Sequence, residues 1–306
     1  MSVQSRLSDL LPYLAPKYWL TWLGLGLLRV SVYLPFKWQL KLGRSLGRLT
    51  YKLLKKRRHI AETNVRLCFP ELSSEERHTI VEKTFENNGI ALFETAMAWW
   101  ASNKRLEKMC RVTGLEHIHE VLAEGKGVIL LSAHFSTLEI SGAMIALYQP
   151  FQVIYKKARN PLFEKVLRKS REKKFLNAID TYDVRRIVQT LKEGLVTWYA
   201  MDQDFGAQRS VFVPFMGVNT CTLTTPSRYS RMTNAAVVPY FPIRDKNGIY
   251  QINILPALDD FPSNSLEDDA ARINALIEEY IRKAPDQYFW VHRRFKTRPA
   301  GEASFY

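Results

Sequence analysis

Cysteine is scarce: Cys68, Cys110 and Cys221 are the three among 306 residues. They are odd in number, widely spaced and without a CxxC pair, which argues against a disulfide framework or a cysteine zinc site and fits a reducing, cytosolic face. Acidic residues are nearly missing from the first 60 positions, where twelve Lys or Arg meet the single acid Asp9. That segment carries +11 of the net charge of +14, leaving +3 for the other 246 residues. A uniformly basic nucleic-acid binder would spread its charge over the fold, and no zinc-finger, RNP or helix-turn-helix signature is present. Repeats, low-complexity linkers and a signal-peptide cleavage site are also lacking. With 46% hydrophobic residues, the chain reads as a packed globule carrying a basic N-terminal device.

The device, placed at residues 1–58, has two parts. Tyr18 to Phe36 is apolar for nineteen residues except Thr21, Arg29 and Ser31, near the length that crosses a bilayer. Arg29 argues against a full span, because a guanidinium deep in hydrocarbon costs about 2.5–3.5 kcal/mol unless it snorkels or pairs. A membrane-inserted or interfacial helix and a span both stay open. Next, Lys37, Lys41, Arg44, Arg48, Lys52 and Lys55 recur every three or four residues with leucines on other faces, a basic amphipathic helix suited to anionic lipid. A span would put everything after Lys37 in the cytoplasm.

The remainder, 59–306, alternates helical and strand-like segments. Ser73 and Glu76 form a capping box before a long helix reaching Trp100. Strands are expected at 127–132, 151–155, 195–200, 236–241 and 250–255, with helices at 138–147, 161–172, 183–193, 224–233 and 267–284. This is an α/β fold, a mostly buried mixed sheet flanked by helices, with the N-terminal membrane-associated helical segment attached.

The most informative stretch is GVILLSAHFSTLE at 127–139, a buried-type strand running into His134. Ser136 and Glu139 have capping-box spacing. Within one helix His134 and Glu139 would point roughly 140° apart, so a contact requires the histidine to lie in the preceding loop. There, Glu139 would orient the imidazole and His134 would act as general base on an alcohol. Ligands gather at strand C-terminal ends in such sheets. Lys156, Lys157 and Arg159 follow the second strand and suit an anion clamp. Asp202, Gln203 and Asp204 follow the third, where they suit a basic residue, a sugar hydroxyl or simply a turn before Gly206. His117 and His119 splay on a helical stretch and have no third ligand nearby, so no metal site is assigned. His292, in the cation- and aromatic-rich WVHRRFKTRP at 290–299, reads as structural.

Several blocks together resemble a known family: NVRLCFPELS at 64–73, ETAMAWW at 94–100, AHFSTLE at 133–139, WYAMDQDFG at 198–206, SVFVPFMGV at 210–218 and APDQYFWVHRRFKTRP at 284–299. The chain resembles, over essentially its whole length, the late acyltransferases of lipid A biosynthesis in the wider Hxxxx(D/E) acyltransferase group. These are lauroyl and myristoyl transferases of the Gram-negative inner membrane, acting on the Kdo-bearing lipid A precursor. The resemblance implies His134 as base and Glu139 as its partner. It further implies acyl carrier protein as donor, a hydroxyl on a hydroxyacyl chain of the precursor as acceptor, and no metal or cofactor. Chain length is not announced by any single residue; lauroyl is the expectation. Two positions depart from the pattern: Ala133 stands where asparagine often precedes the histidine, and Tyr155, Lys156 and Lys157 replace a YRP-like stretch, which bears on acceptor recognition by Lys156 or Arg159. A glycerol-phosphate acyltransferase would share the dyad but lack the 284–299 block, and a non-catalytic membrane-surface protein of the same fold is the alternative from another class.

Overall fold

In the computed structural model, which describes residues 11–306, the apolar run after Tyr18 is not one helix. The first ten residues of the 1–58 unit, Asp9 among them, lie outside the described residues. Helix α1 spans Trp19–Ser31, and α2, Phe36–Leu53, begins after Pro35 at its N-cap. Thirteen residues rise about 20 Å, against roughly 30 Å of bilayer hydrocarbon, and no helix among the described residues is long and apolar enough to cross a membrane. The Arg29 guanidinium lies against the Tyr33 and Trp100 rings and donates to the Trp100 carbonyl, so it pairs within the protein. The basic helix expected from Lys37 to Lys55 is α2 as far as Lys52, while Lys55 opens a separate helix, α3, Lys55–Cys68, together with Lys56, Arg57 and Arg58. The boundary drawn at residue 58 falls inside α3.

Helix α4 runs Ser74–Trp100, started by the Ser73–Glu76 capping box: Ser73 Oγ accepts from the Glu76 N–H while Glu76 Oε2 accepts from that of Ser73. It forms the bed for α2. A Cβ on Gly89 would lie 2.1 Å from the Gly43 carbonyl oxygen, and one on Gly47 would lie 2.3 Å from that of Phe85, so backbone approaches backbone. Leu42, Leu49 and Leu53 remain on the exposed side of α2.

After the short α5 (Asn103–Glu107) come β1 (Cys110–Thr113), α6 (Leu115–Ala123), β2 (Val128–Ser132), α7 (Leu138–Ile145), β3 (Gln152–Tyr155), α8 (Pro161–Glu172), β4 (Asn177–Asp180), α9 (Val184–Lys192) and β5 (Val196–Ala200). The hairpin β6 (Ser210–Phe215) and β7 (Val218–Leu223) follows, then α10 (Thr225–Thr233), β8 (Ala236–Arg244), β9 (Tyr250–Ile254) and α11 (Leu266–Lys283). The seven-stranded sheet has order β1-β9-β8-β2-β5-β3-β4, with every neighbouring pair parallel except β8 and β9.

Strand β2 is buried along its length because alternate side chains enter different cores. Ile129 and Leu131 join Ile187, Ile277 and Trp290 on one face, while Val128 and Leu130 join Met97, Ile140 and Phe151 on the other. The five expected strands and the helices between them are present. In the sheets, β1 and β4, which are four-residue edge strands partly open to solvent, and the β6–β7 hairpin went unforeseen. Pro214 interrupts the alternation of that hairpin, but its Met216-Gly217 turn, with φ of 49° and 77°, has the left-handed pair that a two-residue hairpin needs.

Candidate active site

The parallel register of β2 and β5 builds the site. Ser132 lies opposite Ala200, so residues two positions beyond each strand end, His134 and Asp202, emerge side by side. Asp202 Oδ1 is 2.6 Å from His134 Nδ1, and Oδ2 accepts the His134 backbone N–H at 2.9 Å. One carboxylate thus fixes both ring and backbone, leaving Nε2 as the ring nitrogen without a partner among the described residues. The His134 side chain is 29% exposed and that of Asp202 only 1%. Burial raises the Asp202 carboxyl, but the facing imidazole, the hydrogen bonds from His134 and the Tyr288 hydroxyl outweigh it and hold the group at about 2.

This corrects the expected pairing: the carboxylate on His134 is Asp202, not Glu139. His134 does lie in the loop before α7, but the N-cap is Thr137, which makes no side-chain cap, and the Ser136 hydroxyl has no partner among the described residues. The Ser136 N–H donates instead to the Gln287 carbonyl at 2.7 Å. Glu139 turns toward α4 and α8, where Oε1 accepts from Trp99 Nε1 at 2.9 Å and from Arg171 Nε at 3.1 Å, and Oε2 takes Arg171 Nη2 at 2.6 Å. A two-pronged guanidinium contact between largely buried groups outcompetes a helix cap. Burial pushes the Glu139 carboxyl up, and the Arg171 charge and hydrogen bonds more than reverse this, lowering it overall.

Of the readings open to the acidic pair, Asp202 serves a basic residue, His134, and the substrate reading is the one corrected. Asp202 and Asp204 are 1% and 5% exposed, with their oxygens spent on protein groups. Asp204 accepts the N–H groups of Gly206 and Thr297 and the Thr297 hydroxyl, tying the loop after β5 to the chain's last segment. Neither is open to a sugar hydroxyl. Gln203, between them, lines the cavity beside His134. Lys156 and Arg159 are exposed and form no ion pair with a described residue, whereas Lys157 pairs with Asp180 at 3.2 Å. Because β3 and β5 are parallel, these cations share the sheet edge that carries His134. His117 lies on α6 beside Glu120.

The C-terminal segment holds the histidine loop as an added strand would. The Phe289 N–H donates to the His134 carbonyl at 3.0 Å, and Phe135 bridges Tyr288. Gln287 is itself fixed, its amide meeting both the N–H and the carbonyl of Arg244, whose guanidinium pairs with buried Glu94. Asn64 of α3 donates to the Trp290 and His292 carbonyls at 2.7 Å each. His292 is brought to the His134 cavity, where sequence reasoning had seen only packing; Asn64, Tyr288 and Arg294 line it too. No spacing rule reveals these contacts, since they join residues at least 43 positions apart.

A part-exposed imidazole, backed by a buried carboxylate at the C-terminal edge of a mainly parallel sheet, is the arrangement by which an α/β enzyme can activate a hydroxyl. Comparison with known proteins narrows that class. The chain belongs to the bacterial lipid A biosynthesis acyltransferase family, which it matches over residues 10–297. It is 40% identical over 295 residues to the lipid A biosynthesis lauroyltransferase of Escherichia coli (strain K12), covering 96% of each chain. It is similar also to the palmitoleoyltransferase of that organism, at 39% identity over 297 residues and 96% of each chain, and to its myristoyltransferase, at 30% over 295 residues, 95% of this chain and 91% of the other.

Two stability predictions follow from the carboxylates. Glu139→Ala leaves the Arg171 guanidinium buried without its counter-charge and should cost about 3 kcal/mol, much of it recovered in Glu139→Leu/Arg171→Met; equal urea midpoints for wild type and the single variant would refute the pairing's role. Asp202 has a depressed folded value, so its contribution is complete above the unfolded carboxylate range near pH 4 and fades as pH falls toward about 2. The stability gap between wild type and Asp202→Asn, measured by chemical denaturation, should therefore shrink by about 2 kcal/mol from pH 5 to pH 2; a constant gap would show that Asp202 is not held ionised by its neighbours.

Proposed function

We propose that the protein transfers a fatty acyl chain, lauroyl in the first instance, from acyl carrier protein to a hydroxyl on an acyl chain of the Kdo-lipid A precursor. The observation that carries this reading is the Nε2 of His134, without a partner among the described residues and braced through Nδ1 by buried Asp202. Nε2 takes the proton of the acceptor hydroxyl, and Asp202 steadies the imidazolium that results. The acceptor oxygen attacks the thioester carbonyl carbon, the carbonyl electron pair moves to oxygen, and collapse breaks the C–S bond. The departing thiolate takes the proton from His134, yielding ester and free thiol. Glu139 acts in this reading as a positioning residue, joining α7 to α4 and α8 behind the loop. Lys156 and Arg159, exposed on the same edge, meet the anionic groups of the acceptor, and Gln203 lies where its amide can meet the acceptor near His134.

The lauroyl assignment is supported by similarity to the lauroyltransferase, and the palmitoleoyl and myristoyl names of the other relatives supply the competing chain lengths. Mass spectrometry of the lipid product, after incubation with lauroyl, myristoyl and palmitoleoyl carrier proteins together, should show one added lauroyl group. His134→Ala and Asp202→Asn should lower turnover by roughly 10²–10⁴-fold. Near wild-type product formation by the folded His134→Ala protein would refute the mechanism.

We further propose that α1 and α2 lie in the headgroup region of the bacterial inner membrane, with the catalytic residues on the cytoplasmic side. Trp19, Leu20, Leu23, Leu27, Trp38, Leu42 and Leu49 are exposed there beside Lys37, Lys41 and Arg44, the composition of an interfacial anchor. A basic surface of this kind also suits the acidic carrier protein. At about 1 kcal/mol per charge before screening, replacing Lys37, Lys41, Arg44, Lys52 and Lys55 by Gln should weaken binding to phosphatidylglycerol vesicles at least about 100-fold. Unchanged co-sedimentation would exclude this face as the anchor.

A further inference from the structure

The cavity beside His134 has room for about one water, at about 10 Å³, and most of the polar groups around it are already occupied. The Asn64 amide donates to the Trp290 and His292 carbonyls, and its oxygen accepts from the Tyr306 hydroxyl. The Tyr288 hydroxyl serves Asp202. Gln203 is partly exposed and has no fixed hydrogen-bond partner among the described residues. His292 differs from all of these. Its Nε2 lies 3.3 Å from the Asp204 backbone nitrogen and accepts that N–H, so the proton of the neutral ring sits on Nδ1. The backbone of His292 is held at its carbonyl, which accepts from the Asn64 amide and the Arg294 N–H, and at its own N–H, which donates to the Phe289 carbonyl.

Arg294 supplies the second half of the argument. It is 2% exposed and forms no ion pair with a described carboxylate. Its Nη atoms donate to the Cys221 carbonyl and the Thr222 hydroxyl, its guanidinium lies 4.8 Å from the centre of the Phe215 ring, and Nε has no partner among the described residues. A buried cation without a counter-charge is costly to keep. At the wall of a reaction cavity, its compensation comes when negative charge develops there.

We propose that the His292 Nδ1–H is the donor that stabilises the oxyanion formed when the acceptor oxygen attacks the thioester carbonyl, with Arg294 as the positive charge behind it. This rests on the acyl-transfer reading above. His292 keeps its proton throughout: it hydrogen-bonds to the oxygen while the C–O bond forms and the carbonyl pair moves onto it, and releases it when the C–S bond breaks. Burial, reinforced by the charges of His134 and Arg294, holds the imidazole down at about 4 against Asp202 and Asp204, so it stays a neutral donor while His134 carries the transferred proton.

The test is steady-state kinetics of the full chain with lauroyl carrier protein and the Kdo-lipid A precursor. His292→Phe should lower kcat by roughly 10²–10³-fold with KM for either substrate changed less than about threefold. His292→Asn, whose amide nitrogen falls near the Nδ1 position, should recover most of the loss. Wild-type kcat in His292→Phe, or equal loss in both variants with thermal melts unchanged, would overturn the assignment; if His292→Phe does not fold, activity in His292→Asn decides it. The parallel His134→Ala measurement separates the two claims. An inactive His134→Ala beside a fully active His292→Phe removes only the oxyanion donor, whereas an active His134→Ala removes the general-base reading itself.

Discussion

The parallel pairing of β2 with β5 is the constraint on which the rest of the structure depends. The two strands end level, at Ser132 and Ala200, and the chain then turns so that an imidazole and a carboxylate two residues further on must meet. Strand pairing is held by many backbone hydrogen bonds and by burial of both faces of β2, so the geometry of the dyad is inherited from the sheet and not from flexible side chains. Asp202 adds to this by accepting both the ring and the backbone of His134. A pair built on strand ends and locked by such contacts is held in one orientation before any ligand arrives.

Around that pair the supporting groups divide the work. Glu139 draws Arg171 and Trp99 together, so three helices meet behind the histidine loop. The segment from Gln287 to Phe289 hydrogen-bonds the loop from the other side, and it is anchored in turn by Arg244 and Glu94 deep in the core. Asp204 and Thr297 close the same ring of contacts at the loop after β5. The cation- and aromatic-rich block at 290–299 is therefore wall as much as surface: Trp290, Arg294 and Phe295 are buried, while Arg293 and Lys296 face solvent.

Much of the fold was legible in the residues. Apolar runs bounded by Gly or Pro marked five strands, and the Ser73–Glu76 spacing marked the start of a 27-residue helix. Short edge strands escaped because half-exposed segments such as CRVT and NAID lack a hydrophobic pattern. The capping box expected at Ser136 and Glu139 has correct spacing but is not formed, since spacing states only what is locally possible. A buried guanidinium from α8 takes the Glu139 carboxylate and the residue 287 carbonyl takes the Ser136 N–H, which leaves the Ser136 hydroxyl outside both.

The sequence by itself determined that a histidine would stand in the loop after a central buried strand, that basic charge would concentrate on an N-terminal amphipathic helix, and that the chain would fold as α/β. These follow from local periodicity and composition, which act over a few residues. Only the tertiary structure decided which carboxylate serves His134, that the nineteen-residue apolar run breaks at residues 32–35, and that His292 and Arg294 share the cavity wall with the dyad. Each of these depends on strand order, helix packing or contacts between distant segments, and such choices are settled by the burial and hydrogen-bonding of the whole chain.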